Sequence, residues 1–278
     1  MTRRSLSTAW TLALTLVCVM TASTAQADAT LDKVRARGKL VVGVMLSGPP
    51  FGSIDPATQK HVGYNVELSQ AVAKGLGVGV ETVQVQPSNR VQFLQSGKVD
   101  ILIANMQWTA ERAEILAFAP TPFEEVGGAA IVHKGSGLKQ WSDLRGKPVC
   151  VSQGSNYTKP LEEQYGAQVK AFRGQPESLL ALRGGGCVAA VHVGPTLQQL
   201  IASNADWSDY ELPLPSELIP SASVIWLRKG EADAQAAIDK IVQQWHRSGW
   251  LIEVGKRNGM QPTRKLLELH EQFRKVPA

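Results

Sequence analysis

The sequence predicts an α/β protein built as two lobes, and three observations carry that reading. Strand-like and helix-like runs alternate from residue 39 onward, the pattern of a parallel sheet covered by helices. The alternation breaks at 117–134, a stretch containing Pro and Gly, and restarts over 148–193. A second break at 212–220, with three prolines, leads into a strand-like run at 223–227. Two breaks imply two crossings, with residues 28–121 and 221–278 in one lobe and 122–220 in the other.

Taken in order, residues 39–46 (KLVVGVML) are almost continuously apolar, as a strand buried on both faces requires. Asn65 is placed to cap a helix carrying Leu68, Val72 and Leu76 at four-residue spacing. Residues 81–85 read as a strand, 89–95 as a short helix closed by Gly97, and 99–104 (VDILIA) as another buried strand. Thr109 then caps a helix running to Leu116. Beyond the first break, 129–133 is extended, 148–152, 169–172 and 188–193 are strands, and 155–165 and 177–182 are helices. Near the C-terminus Ile238, Ile241, Val242 and Trp245 share one helical face, a pattern of core packing, and 263–273 is helical too.

The chain opens with an export signal. Arg3 and Arg4 precede an uncharged apolar run at 9–22, and Ala25-Gln26-Ala27 is an A-x-A cleavage site. Removing 27 of 278 residues leaves 251, and two arginines leave with them, so the net charge falls from +5 to +3. The expected product is periplasmic and monomeric. It is only mildly basic and has no basic run, which argues against a nucleic-acid partner. Cys150 and Cys187 remain, and two cysteines in an exported chain predict one disulfide. The five histidines are scattered without ligand spacing, so no metal site is expected. Neither G-x-S-x-G nor H-E-x-x-H occurs, and Gly184-Gly185-Gly186 leads into a strand rather than a helix, so no phosphate loop or cofactor is expected.

Arg112 is the sharpest functional signal. It sits three residues after Thr109, where a cation opposes the helix macrodipole, and a guanidinium there is suited to grip a carboxylate through two parallel bonds. An ion pair with Glu111 or Glu114 is the plainer reading. Gly154-Ser155-Asn156 follows a strand and opens a helix, which suits either an anion or a simple cap. Asn89-Arg90 puts a second cation in a first turn, where a surface arginine is equally ordinary. Asn105 and Gln107 follow the 99–104 strand, and Tyr64 and Trp108 lie beside strand ends as candidate pocket walls or as core.

Several stretches in order then carry a resemblance: Gly38 to Val44, Pro49-Pro50-Phe51, and Gly63-Tyr64-Asn65-Val66-Glu67-Leu68. Asn89-Arg90, Leu94 to Asp100, Thr109-Ala110-Glu111-Arg112, Asp143 to Lys147 and Val151 to Ser155 continue it. With them the chain resembles the family 3 extracellular solute-binding proteins, the amino-acid receptors of ABC importers. The resemblance implies a periplasmic-binding-protein fold whose lobes close on a ligand around a two-crossing hinge, with a membrane permease as partner. It puts the ligand carboxylate on Arg112, assisted by Ser155 and backbone near Gln107, and implies that Arg90 meets a second carboxylate in acidic-amino-acid receptors. It also implies an aspartate for the ligand ammonium where this chain has Gly194, and an acidic or aromatic side chain where it has Met45, Ser47 and Gly48. Glu124 or Glu125 would then supply the acid, or the ligand is not an ordinary α-amino acid. The scaffold leaves two alternatives open: an exported cyclohexadienyl or arogenate dehydratase, and a ligand-sensing receptor subunit.

Overall fold

The structure, a computed structural model, describes residues 29–275. The export signal and its cleavage site lie outside the described residues.

In the first lobe α1 (Ala29–Arg37) leads into β1 (Lys39–Met45). Six of the seven β1 positions are buried, which is why its sequence is apolar without alternation. A short hairpin, β2 (Ser53–Ile54) and β3 (His61–Val62), precedes α2 (Tyr64–Gly75). Asn65 does not cap α2. The helix starts one residue earlier, and its first donors, the Tyr64 and Asn65 N–H groups, are taken by the carbonyls of Pro50 and Phe51. With that end satisfied by backbone, Asn65 is buried inside the first turn and its Nδ2 donates to Asn105 Oδ1 at 2.5 Å. The chain continues through β4 (Gly79–Val85), α3 (Arg90–Gln95), β5 (Ile101–Ile103), α4 (Ala110–Ile115) and β6 (Ala117–Phe118). Thr109 caps α4 as expected, its hydroxyl accepting from the Arg112 N–H.

Next come β7 (Glu124–His133), β8 (Pro148–Ser152), α5 (Thr158–Glu163), β9 (Gln168–Phe172), α6 (Gln175–Arg183), β10 (Ala189–Val193), α7 (Gly194–Ser203) and β11 (Tyr210–Glu211). In this second sheet the order is β11-β7-β10-β8-β9, parallel through β10, β8 and β9, with β7 antiparallel. Cys150 and Cys187 are bonded, as expected. The bridge is not a cross-strand pair: the register sets Ala190 opposite Cys150, and Cys187 lies in the turn before β10. By its loop of 37 residues it is worth about 4 kcal/mol. The helix expected over 155–165 is shorter, because residues 153–157 form a turn first.

The chain returns through β12 (Leu218–Ser223), which pairs antiparallel with β7, Ser223 opposite Glu124 and Ser221 opposite Val126. The two crossings therefore form one two-stranded ribbon. Its end is tied to the first lobe where Trp108 and Phe123 donate their N–H groups to the carbonyls of Ala222 and Ser223. Finally β13 (Trp226–Leu227) completes the first sheet, in the order β4-β1-β5-β13-β6. It is followed by α8 (Ala232–Ser248), α9 (Trp250–Arg257) and α10 (Arg264–Phe273). Ile238, Ile241, Val242 and Trp245 are all buried, as their shared face predicts.

Candidate functional site

Two guanidiniums meet at the cleft between the sheets. Arg90, the first residue of α3, is 3 % exposed. Its Nη1 donates to the carbonyls of Ala104 at 2.7 Å and Asn105 at 3.1 Å. Asn105 adopts a left-handed backbone (φ 49°), a conformation that asparagine tolerates best among residues with a side chain. Arg112 turns back from α4, and its Nη1 donates to the Gln107 carbonyl at 2.6 Å. Its Nη2 crosses the cleft to the Gly154 carbonyl at 2.9 Å, which Arg90 Nη2 also approaches at 3.4 Å. Gly154 is in the left-handed region (φ 76°), and a Cβ on it would stand 2.7 Å from the Pro87 carbonyl, so glycine is what permits this close approach.

Apart from the Met45 sulfur, 3.7 Å from Arg90 Nη1, these cations are paired with carbonyls, and among the described residues neither makes an ion pair. Burial, and then the Arg112 charge, hold Arg90 well below the ordinary arginine value. Burial likewise brings Arg112 down to about 10, against the favourable pull of Tyr157 and Glu111. Two neighbouring desolvated cations without an acid are costly, and an anion placed between them relieves that cost.

The facing wall comes from the second lobe. Ser155 and Asn156 line a cavity of about 40 Å³ together with Arg90, Asn105, Gln107, Tyr157, Gln175 and His192. The Asn156 Nδ2 is buried without a partner. The Ser155 hydroxyl accepts from the Tyr157 N–H at 3.2 Å, a local turn contact. Gln107 is 2 % exposed, and its Nε2 donates to the Tyr157 hydroxyl at 3.1 Å, a second bond across the cleft. His192 is fully buried, 2.9 Å from Ser178 Oγ, and burial lowers it to about 3, so it is neutral at physiological pH.

The structure brings Arg90, Arg112, Asn105, Gln107, Ser155 and Asn156 together. Tyr64 and Trp108 do not join them. Tyr64 is fully buried in the first lobe between Phe51 and Phe123. Trp108 is 40 % exposed with its ring edge against Phe118, because its N–H is held by the β12 end of the ribbon. Tyr157, Gln175 and His192 carry no sequence signal, since each reads as an ordinary helix or strand residue.

Neither Glu124 nor Glu125 lines the cavity. Glu124 is buried on the far side of the ribbon, where its Oε1 accepts from the Thr263 hydroxyl at 2.7 Å and the Glu125 N–H at 3.0 Å. Burial pushes it up to about 7. The acid beside Gly194 is instead Glu217, which precedes β12. Its Oε1 lies 3.1 Å from the point where a Cβ on Gly194 would stand, so it occupies the space that a side chain there would take. It accepts from the Gly127 N–H, and burial raises its pKa. No ion pair to Glu217 exists among the described residues. Burial raises the Tyr157 phenol, and the charge of Glu217 adds to this while those of Arg112 and Arg90 oppose it.

Comparison with known proteins agrees with this architecture. An L-cystine-binding protein of Escherichia coli (strain K12) is 29 % identical over 250 residues, covering 88 % of this chain and 92 % of its own. A glutamate/aspartate import solute-binding protein of Salmonella typhimurium is 28 % identical over 238 residues, covering 80 % and 77 %. Among solved structures, a cysteine-binding protein from Campylobacter jejuni superposes with a TM-score of 0.76 at 26 % identity, covering 82 % of this chain and 92 % of that one. The arginine-bound form of a truncated ArgBP from T. maritima gives 0.70 at 27 % identity, covering 77 % and 99 %. The family described as bacterial extracellular solute-binding proteins, family 3, matches residues 40–259. With two lobes, a two-strand crossing and a match across most of its length, this chain belongs to the family 3 bacterial extracellular solute-binding proteins.

Proposed function

We propose that this chain is the exported, monomeric receptor of an ABC importer and holds an amino acid between lobes formed by residues 28–121 with 221–278 and by 122–220. One observation carries the reading: buried Arg90 and half-buried Arg112 stand side by side with carbonyls as their only hydrogen-bonding oxygens. A ligand carboxylate between them replaces neutral acceptors by a charged one, and charge-assisted bonds are the stronger kind. Asn156, with a free buried Nδ2, supplies a further donor. Beside Gly194 stands Glu217, an acid that makes no ion pair among the described residues. Two cations without an anion, facing an anion without a cation, form the complement of a zwitterion. The relatives' own ligands, which include cystine, glutamate and aspartate by their names, are of that class.

The test is a thermal-shift panel of the common amino acids, each beside its desamino analogue. At 100 times its dissociation constant a ligand should stabilise the protein by about 2.7 kcal/mol. The expected result is stabilisation by at least one amino acid and less by its desamino analogue. No stabilisation by any carboxylate would overturn the reading.

A further inference from the structure

The cavity at Arg90 borders a much larger groove. Gln175, the first residue of α6, lines both. The groove measures about 620 Å³ against about 40 Å³ for the cavity, and small-molecule sites ordinarily occupy roughly 300–1,000 Å³. A solute held at Arg90 has room for the rest of itself along this side, past Gln175. Leu179 and Leu180 of α6, Leu200 of α7 and Trp207 beyond it make the groove largely apolar, with Leu180 70 % exposed, and the Arg183 guanidinium lines it too, 5.6 Å over the Trp207 ring. Its opposite side is Ser47, Gly48 and Pro49 of the first lobe. Nothing lies within 4 Å of a Cβ built on Gly48, so this loop leaves the groove unfilled.

A second observation points to an occupant. Thr196, in the first turn of α7, lines the groove at 4 % exposure, and its Oγ1 is buried without a partner. A buried hydroxyl left unpaired is costly, and an exposed leucine beside it adds apolar surface that water does not favour. A hydrocarbon in the groove covers the leucine but does not supply the hydroxyl's missing hydrogen bond, so it is the leucine that argues for an apolar occupant. Because the two lobes each contribute a side, such an occupant is enclosed only when they are together.

We propose that the groove receives a long apolar side chain of the bound solute, so that the preferred substrates are amino acids with extended hydrocarbon side chains rather than compact ones. The proposal rests on the carboxylate site at Arg90 and Arg112. The head group is held there, Gln175 marks the passage, and the side chain runs between α6, α7 and the 47–49 loop.

The experiment is a calorimetric titration of the full protein with L-alanine, L-norvaline, L-norleucine and L-2-aminooctanoic acid. Affinity should rise about fourfold for each buried methylene. Leu180→Asp, at a site exposed enough to spare the fold, should flatten that rise. Ser47→Trp, which fills the groove from the other lobe, should flatten it too. Affinity independent of chain length, no binding of L-2-aminooctanoic acid, or an unaltered rise in both variants would overturn the proposal. Arg112→Ala should weaken all four ligands by the same factor. If it left all four unchanged, the carboxylate site would be wrong and the groove would stand on its chain-length dependence alone.

Discussion

At the scale of single residues, the chemistry of this protein lies in charges that the fold leaves without opposite charges. Arg112 is held by two carbonyls, one on its own lobe and one on the other, so it reads the cleft directly. Removing one partner of a desolvated charge pair costs ~2–5 kcal/mol, so Arg112→Ala should weaken binding by at least about thirtyfold. Arg112→Lys should recover only part of this, because a point charge does not reproduce a two-pronged fork. Calorimetry of both variants with the amino acid identified by thermal shift decides it, and wild-type affinity in Arg112→Ala contradicts the assignment. Glu217 is the acid proposed to match it. In Glu217→Gln the preference for an amino acid over its desamino analogue should shrink, and an undiminished preference would place the ammonium elsewhere. Gly194 and Glu217 are sterically coupled, since a side chain on the first meets the carboxyl of the second.

Among elements, the ribbon of β7 and β12 joins the lobes and carries a buried titration. Glu124 sits at its end with α10 packed against it through Thr263. Its ordinary value is 4.5 and its folded value about 7, so the folded protein holds this proton more tightly than the unfolded chain does. Its contribution is then fully present below about pH 4.5 and is lost as pH rises through about 7. Glu124→Gln keeps the Oε1 acceptor and removes the charge. The variant should match wild type near pH 4.5 and exceed it above pH 7, by about 3 kcal/mol at most. Denaturant unfolding at both pH values measures this, and equal stability at pH 8 would show that water reaches the carboxylate. Because Glu124 does not line the cavity, the substitution should leave ligand affinity in place.

For the whole molecule, the lobes are in contact across the cleft through Arg112 with Gly154, Gln107 with Tyr157, and Arg173 with Gln86 at 3.0 Å. These are few polar bonds across a seam that the ribbon alone spans covalently. Such a seam opens at modest cost, and a ligand that binds both sides shifts the balance toward closure. Solution scattering should therefore show a smaller radius of gyration with a saturating amino acid than without it. Identical profiles would mean that the lobes stay together regardless of ligand.

Much of this was legible in the sequence because it depends on local physics. Period and apolar runs marked β1, β5 and the α8 face, Thr109 announced its cap, and the two breaks announced the two crossings. A cation in the first turn of α4 marked Arg112, because a residue that opposes its local electrostatics needs a distant reason. What the sequence left undecided depends on which groups at long separation come within a few ångströms. Tyr64 and Trp108 read equally as pocket walls or as core, and packing sends one into the core and the other outward. Glu124 and Glu125 lie near the crossing in sequence, but the alternation of a strand and the clamp of α10 turn Glu124 away, while Glu217 arrives beside Gly194 from the returning strand. The sequence by itself determined the two-lobed alternation and the family, and it marked Arg112 as the cation out of place, all written in neighbouring residues. Only the tertiary structure decided the meeting of Glu217 with Gly194 and the apolar groove, since each is assembled from segments far apart in the chain and local energetics carry no trace of such meetings.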